Sequence, residues 1–565
     1  MNRKRIEAAF PLSPQQKGML YASLGEQEGG LFVEQFSCRI TGSLDIKLFR
    51  EAWQKLIDSH SMLRTAFVWK AQKEPIQVAL KEVEVKLQRH DLRSFSSAEK
   101  QLRIEAFLGL DSQQPFNLTE APLMRLALLQ LEDQEYHFVW TIHHILIDGW
   151  CRPILLQQLQ KAYRSLAAGC PDAIESTRPY RDYVAWLQKQ DLAAAEAFWR
   201  SQLSGFDGPT GLGRTADTPA MPEELSGSAI ADSHVAEPVL CAVQEHAKKH
   251  GITLNTVLQG VWAVALARYS GSKDVVFGTT VSGRPAELDG AGNIIGLFIN
   301  TLPFRVEIAS EAPVLEWMKQ LQEKHMQIRH YEHCSAGQIH EWSGAPRNRP
   351  LYESILVFQN YPSVIAAFAL TDEIEIREMR ATGARTECPL TLLAGRPGNN
   401  GMGLRAVYDC ARLSTEAVYL ILRHAGVLLT ALARDPQQCV AALLELIPDS
   451  EIPEVFPRFG AQPLETEFVA PRNEIEQILA AIWAECLGMP ETSVTANFFE
   501  LGGHSLAAVQ LINAVSSRLG VRVALSHFFG SPTVAGMASA VVQQIAASAA
   551  PEAVAQALNE LESGV

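Results

Sequence analysis

The chain has 565 residues, 47% of them hydrophobic and 20% charged, with a formal net charge of −14. That length exceeds one ordinary hydrophobic core and predicts roughly two to four domains of a folded, soluble type. The acidic balance speaks against nucleic acid or an anionic membrane surface as the main partner, since the one basic cluster is the short Arg3-Lys4-Arg5.

Taken in chain order, residues 32–40 read as a strand. A helix follows from Asp45, a fitting N-cap, with Leu48, Phe49, Ala52, Trp53, Leu56 and Ile57 at helical spacing. Segments 123–131 and 136–142 alternate around a short Glu-Asp-Gln turn and predict a hairpin, whose second strand runs into His143 and His144. Residues 152–167 read as an amphipathic helix. The Gly/Pro-rich stretch 204–227 predicts a linker between lobes.

Beyond it, 253–269 is apolar almost all round, as a buried helix would be. Strands are expected at 275–281 and 297–306. A hairpin is expected at 391–396 and 403–408, around Pro-Gly-Asn-Asn-Gly. A second Pro-rich passage, 447–463, precedes a last block that is helical in pattern at 474–487, 505–518 and 534–545.

The organisation expected is therefore an α/β block of two lobes (1–205 and 206–446), a linker (447–466), a small helical domain (467–545) and an Ala/Glu-rich tail (546–565). Nine cysteines are spread from Cys38 to Cys486 with no CxxC or His-rich pairing. They indicate a reducing compartment and neither a disulfide frame nor a metal site. No apolar signal region follows Met1, and no apolar run approaches the roughly 20 residues of a spanning helix. A cytoplasmic protein without a membrane partner is the expectation.

Residues 141–150 read TIHHILIDGW. Neighbouring residues on a strand point to opposite faces, so only one imidazole of His143 and His144 can face a given cleft. Histidine titrates near neutrality and suits proton transfer to or from a nucleophile. Asp148 is suited to bind an arginine and fix the turn, and Gly149 admits close approach of substrate or backbone. A buried, satisfied histidine pair is the plain alternative. A metal site is a poorer one, because adjacent histidines on a strand chelate one ion with difficulty.

HHILIDGW resembles the HHxxxDG signature of condensation domains from nonribosomal peptide synthetases. The resemblance continues in order along 8–445: PLSPQQKGMLYASL (11–24), HSMLRTAF (60–67), YRDYVAW (180–186), IIGLFINTLP (294–303) and RNRPLYESILVFQNYP (347–362) are similar to further motifs of that family. It implies two chloramphenicol-acetyltransferase-like lobes with a tunnel between them, entered by carrier arms from opposite faces. His144 would be the catalytic histidine, taking or sharing the proton of an acceptor amine as it attacks a donor thioester. Asp148 would be structural, paired with Arg64. The backbone N–H of Gly149 would favour the oxyanion. His143 would serve packing.

The last block resembles a four-helix peptidyl carrier domain, with FVAPRNEIEQILAAIWAECLG (468–488) as its first helix and NFFELGGHSL (497–506) as its modification motif. Ser505 would carry a covalent 4′-phosphopantetheine. A hydroxyl at a helix N-terminus suits an incoming phosphate, and Gly502 and Gly503 allow the turn that presents it. A simple N-cap serine is the bland reading of GGHS alone.

No Gly-rich phosphate loop of an adenylating enzyme lies between the two blocks. The partners implied are a trans-acting adenylation enzyme that loads Ser505, a phosphopantetheinyl transferase, an upstream donor carrier protein and aminoacyl or peptidyl thioesters, with the chain itself a monomer. An excised or fused part of a longer synthetase is the other origin compatible with this order. Alternative readings are ester formation, acylation by a fatty starter, epimerisation and a non-catalytic platform that recruits enzymes to a carrier. A heterocyclising variant would replace the histidines with aspartates, and this chain keeps both.

Overall fold

A computed structural model describes residues 3–25, 30–69, 74–170, 174, 177–206, 208–212, 228–345, 349–359, 369–382, 388–395, 401–452, 468–487, 489, 491–498, 501, 505–521, 528 and 531–548. They form two compact units, one built mainly on residues up to 459 and the other mainly on residues from 460.

The first unit carries strands β1 (Ile6–Pro11), β2 (Val33–Thr41), β3 (Thr65–Val68), β4 (Ile76–Leu80), β5 (Leu87–Asp91), β6 (Met124–Glu132) and β7 (Glu135–His143) in its first half. The second half carries β8 (Ser228–Val235), β9 (Asp274–Val281), β10 (Asn300–Glu307), β11 (Ser354–Gln359), β12 (Glu375–Thr382), β13 (Leu390–Gly395) and β14 (Met402–Asp409). They assemble into sheets of order β1-β4-β3, β12-β2-β7-β6-β5 and β10-β9-β11-β13-β14-β8.

The two larger sheets are the centres of two α/β lobes. In the first, the β6–β7 hairpin pairs antiparallel with Leu126 opposite Trp140, and β2 pairs with β7 with Val33 opposite His143. Helix Ile46–Ser59, capped by the Asp45 carboxylate at Lys47 N and Leu48 N, lays Phe49 and Trp53 against Phe138 and Trp140 of β7. Burying aromatics of this size stabilises the lobe.

In the second lobe, helix Leu254–Ser270 is buried on nearly every side, as its unbroken apolar run requires. Helix Thr415–Arg434 is long and apolar enough, by length and composition alone, to cross a membrane. It instead buries Ala417, Val418, Ile421, Leu422, Leu428, Leu429 and Leu432 within this unit. The expectation that no apolar run approaches spanning length is corrected in that respect.

Two features depart from a simple division at residue 205. β12 belongs to the second half of the chain but pairs antiparallel with β2, so it forms an edge of the first sheet. Residues 447–452, which composition assigned to a linker, pack on the second lobe. Ile447 and Ile452 are buried there, the Ile447 carbonyl accepts from Arg268 Nε at 2.9 Å, and Glu451 Oε2 lies 2.6 Å from buried His424 Nε2. The 204–227 stretch, the 396–400 turn, the 453–466 part of the linker and the 549–565 part of the tail fall largely or wholly outside the described residues.

The second unit holds helices Glu474–Leu487, Ser505–Leu519 and Val534–Ser548. Trp483, Phe498 and Phe528 meet edge to face in its core, with Leu479, Leu511, Val515, Val534, Met537 and Val541 around them. The four-helix expectation assigned residues to three of its helices, and these three are found.

Candidate functional site

The TIHHILIDGW segment leaves β7 at His143 and turns into helix Cys151–Ala167. The turn is pinned from several sides. His144 N donates to the Phe32 carbonyl at 2.7 Å, and Leu146 N donates to the His143 carbonyl at 3.1 Å. The Gln16 amide, from the PLSPQQ motif, donates to the Ile145 carbonyl at 3.2 Å and is itself held by Gln77.

The two histidines have opposite environments. His143 is buried among Phe32 and Phe116, and its Nδ1 accepts from Ile145 N at 3.1 Å. Burial, with a smaller contribution from the charge of His144, lowers its pKa to about 3, so it stays neutral. His144 is partly exposed. Its Nδ1 lies 2.7 Å from the Ile147 carbonyl, which can only accept, so Nδ1 carries the proton and Nε2 of the neutral ring keeps its lone pair. Nε2 lies 3.5 Å from Oε1 of Glu34 on β2.

Asp148 is 2% exposed and does not face the cleft chemistry. Oδ1 accepts from Trp150 N at 3.1 Å and Cys151 N at 3.2 Å, and Oδ2 accepts from Phe298 N at 3.0 Å. Ile299 N adds a further bond to Oδ2 at 3.3 Å, and Arg284 Nη2 lies 3.1 Å from Oδ1. Asp148 therefore ties the histidine turn of one lobe to the 294–299 loop of the other. Gly149 lies buried in the same turn, and its φ is outside the left-handed region.

The expected pair between Asp148 and Arg64 is not formed. Arg64 follows helix Ile46–Ser59 and points into the small β1-β4-β3 sheet. Its Nη1 lies 2.6 Å from Glu7 Oε2, and its other nitrogens donate to the Ile57 and Asp58 carbonyls at 2.9 and 3.2 Å. These partners fill its donors at a place set by β1 and β4. The cation at Asp148 comes from the second half of the chain, more than a hundred residues away. The only sequence signal for it was the need of a buried carboxylate for some cation.

Arg284 is positioned by its surroundings. Gly283 before it has φ +64°, and a Cβ there would fall 1.8 Å from the Phe298 carbonyl oxygen, so the approach of the two chain segments needs glycine. Arg284 Nη1 donates to the Ala291 and Ile294 carbonyls at 2.7 and 2.9 Å, and the guanidinium lies 4.2 Å from the Phe298 ring centroid. Tyr180 and Tyr183 of the YRDYVAW helix hold the same phenylalanine, at centroid distances of 5.4 and 4.2 Å, and the Tyr180 hydroxyl donates to the Leu297 carbonyl. Gly296 leaves room for the Tyr180 ring, where a Cβ would fall 2.0 Å away. Three separated motifs thus meet around Asp148.

Ser505 is the first residue of helix Ser505–Leu519. A serine there stands where the first-turn N–H groups have no partner within the helix, a setting that suits a phosphate ester. Residues 502–504 lie outside the described residues. Among the described residues no group of His, Cys, Asp and Glu is arranged to hold a metal ion, and none of the nine cysteines forms a disulfide.

A two-lobed α/β unit with a tautomer-fixed histidine at the end of a central strand, followed by a small helical unit with a serine at a helix start, defines an acyl-transfer enzyme joined to a carrier. Residues 6–452 match the family model for the condensation domain, and residues 477–541 match that for the phosphopantetheine attachment site. The chain belongs to the condensation-domain family of nonribosomal peptide synthetases, and it carries a phosphopantetheine attachment domain behind that domain.

Relatives include two components of the linear gramicidin synthase of Brevibacillus parabrevis. One is 39% identical over 80% of this chain and 9% of the relative, and the other is 39% identical over 77% of this chain and 6% of the relative. Bacitracin synthase 3 of Bacillus licheniformis is 36% identical over 64% of this chain and 6% of the relative. The chain thus spans less than a tenth of each. Among solved structures, the starter condensation domain of rhizomide synthetase superposes with a TM-score of 0.66 at 20% identity, over 77% of this chain and 97% of that one. The X-domain from teicoplanin biosynthesis superposes with a TM-score of 0.62 at 21% identity, over 78% and 98%. These two likenesses establish the fold. The attachment domain implies a covalent 4′-phosphopantetheine, with a phosphopantetheinyl transferase and thioester-bearing carriers as partners.

Proposed function

We infer that this chain forms an amide between an acyl or peptidyl thioester, delivered on another carrier, and the amine of an acceptor tethered at Ser505. The observation that carries this reading is the hydrogen bond from His144 Nδ1 to the Ile147 carbonyl, which leaves the Nε2 lone pair free for a proton of the amine. The arm on Ser505, when bound, supplies a thiol that holds the acceptor as a thioester.

In the reaction a C–N bond forms and the C–S bond of the donor thioester breaks. Of the two protons that the acceptor ammonium loses on its way to the amide, His144 Nε2 takes one and the departing thiol leaves with the other. The buried Asp148–Arg284 pair keeps the histidine turn and the 294–299 loop in register and takes no part in proton transfer. The backbone N–H of Gly149 is assigned to the developing oxyanion, in keeping with its place in that turn.

Between the two family matches lie only residues 453–476, too few for an adenylating domain. The acceptor is accordingly loaded by an adenylating activity encoded outside this interval. Treatment with a phosphopantetheinyl transferase and coenzyme A should add the mass of one phosphopantetheine, and Ser505→Ala should abolish the gain. An unchanged mass in the wild type would remove the carrier assignment.

A further inference from the structure

Glu34 lies on β2 beside Gln35, whose side chain turns to Asp111 and Thr141. The Glu34 side chain is one-tenth exposed, and Oε1 faces His144 Nε2 at 3.5 Å. Oε2 is buried and has no hydrogen-bond partner. A carboxylate in that position is costly unless something pairs with it, and nearly any apolar strand residue would avoid the cost. An unpaired buried polar group of this kind calls for a functional account.

Hydrogen-bond chemistry says what would satisfy it. In the neutral ring His144 Nε2 presents a lone pair, because Nδ1 holds the proton. A carboxylate presents lone pairs only. With the ring neutral, two acceptors face one another 3.5 Å apart, a distance at which a proton on Nε2 makes them an ion pair. A primary ammonium brings three donors and a positive charge, enough to serve both. A hydroxyl brings one donor and serves one of them.

We propose that Glu34 is a substrate-binding residue which, together with His144 Nε2, seats the terminal ammonium of the acceptor and so selects an amine over a hydroxyl. This rests on the reading of the chain as amide-forming and names the acceptor class of the same site. The ammonium gives one proton to His144 Nε2 and becomes the nucleophile. As the C–N bond forms and the C–S bond breaks, the second proton leaves with the thiol. The Glu34 charge stays beside the imidazolium and stabilises it.

Two soluble probes test this on the full chain with Ser505 unmodified. One is the stable amide analogue of glycyl-pantetheine, ending in an ammonium. The other is its glycolyl counterpart, ending in a hydroxyl. Calorimetry should show the wild type binding the ammonium probe at least about tenfold more tightly. Glu34→Gln should bring the two affinities to within about twofold with the hydroxyl probe unchanged, and Glu34→Asp should keep the preference in part.

Equal affinities on the wild type, or no binding of the ammonium probe at millimolar concentration, would overturn the proposal, as would a preference retained in Glu34→Gln. Transfer from a donor thioester is measured separately. Transfer without the probe preference removes the role of Glu34 alone, whereas the preference without transfer removes amide formation and leaves the ammonium seat.

Discussion

Asp148 Oδ1 and Arg284 Nη2 stand 3.1 Å apart with both side chains almost fully buried, and they join the histidine turn of the first lobe to the loop that follows β9 in the second. The site is therefore a shared product of both lobes, held by one ion pair and four backbone N–H groups that converge on a single carboxylate.

This relationship is testable by coupling. Removing Arg284 strands a buried carboxylate, and Arg284→Ala should cost about 3–5 kcal/mol by denaturant unfolding of the first unit. Arg284→Ala and Asp148→Ala should be strongly non-additive. Arg64→Ala should also destabilise, since it abandons the Ile57, Asp58 and Lys81 carbonyls, but with Asp148→Ala it should add to within about 0.5 kcal/mol. Coupling between Arg64 and Asp148 would restore the pairing that the motif resemblance implied.

Acid should weaken the first unit before its carboxylates titrate fully. Burial lowers His143 to about 3 and, with the Arg39 and Arg380 charges, His137 to about 4; burial and Arg329 lower His325 to about 4. Each stays neutral in the fold and binds a proton more readily when unfolded. Their stabilisation is complete above the unfolded value near 6.5 and is lost as pH falls from there toward 3–4, on the order of 3–5 kcal/mol per histidine. Neither His137 ring nitrogen has a hydrogen-bond partner. His137→Phe should flatten the stability–pH slope in that window, and an unchanged slope would contradict this.

Glu332 has the opposite sign. Burial raises its pKa to about 7, against weaker pulls from Arg329. The folded state then holds a proton that the unfolded state releases near 4.5, so stability falls as pH rises from 4.5 through 7. Glu332→Gln should stabilise the chain by roughly 1–3 kcal/mol at pH 8 and by little at pH 4.5, read from paired unfolding curves.

Much of this was legible in the sequence. The unbroken apolar run of helix Leu254–Ser270, the Asp45 cap and the β6–β7 hairpin each follow from periodicity and turn chemistry, which act over a few residues. The motif order pointed to the family, and with it to His144 and Ser505. Long-range pairings were not legible. The placement of β12 on β2 joins segments more than three hundred residues apart. The partner of Asp148 is one of 49 lysines and arginines, with nothing local to single it out. Glu34 looks like an ordinary outward strand residue until β2 is docked beside the histidine turn. Such features depend on which surfaces meet, and composition and spacing do not encode that locally.

The most direct test of the account is a single-turnover transfer assay. The full chain, with an aminoacyl arm on Ser505, is mixed with an acylated donor carrier, and intact mass follows the product. The wild type should gain the acyl group on the Ser505 arm, and His144→Ala should slow that gain about 10²–10⁴-fold with arm loading unchanged. Wild-type rates in His144→Ala would contradict the central claim that His144 Nε2 takes the amine proton.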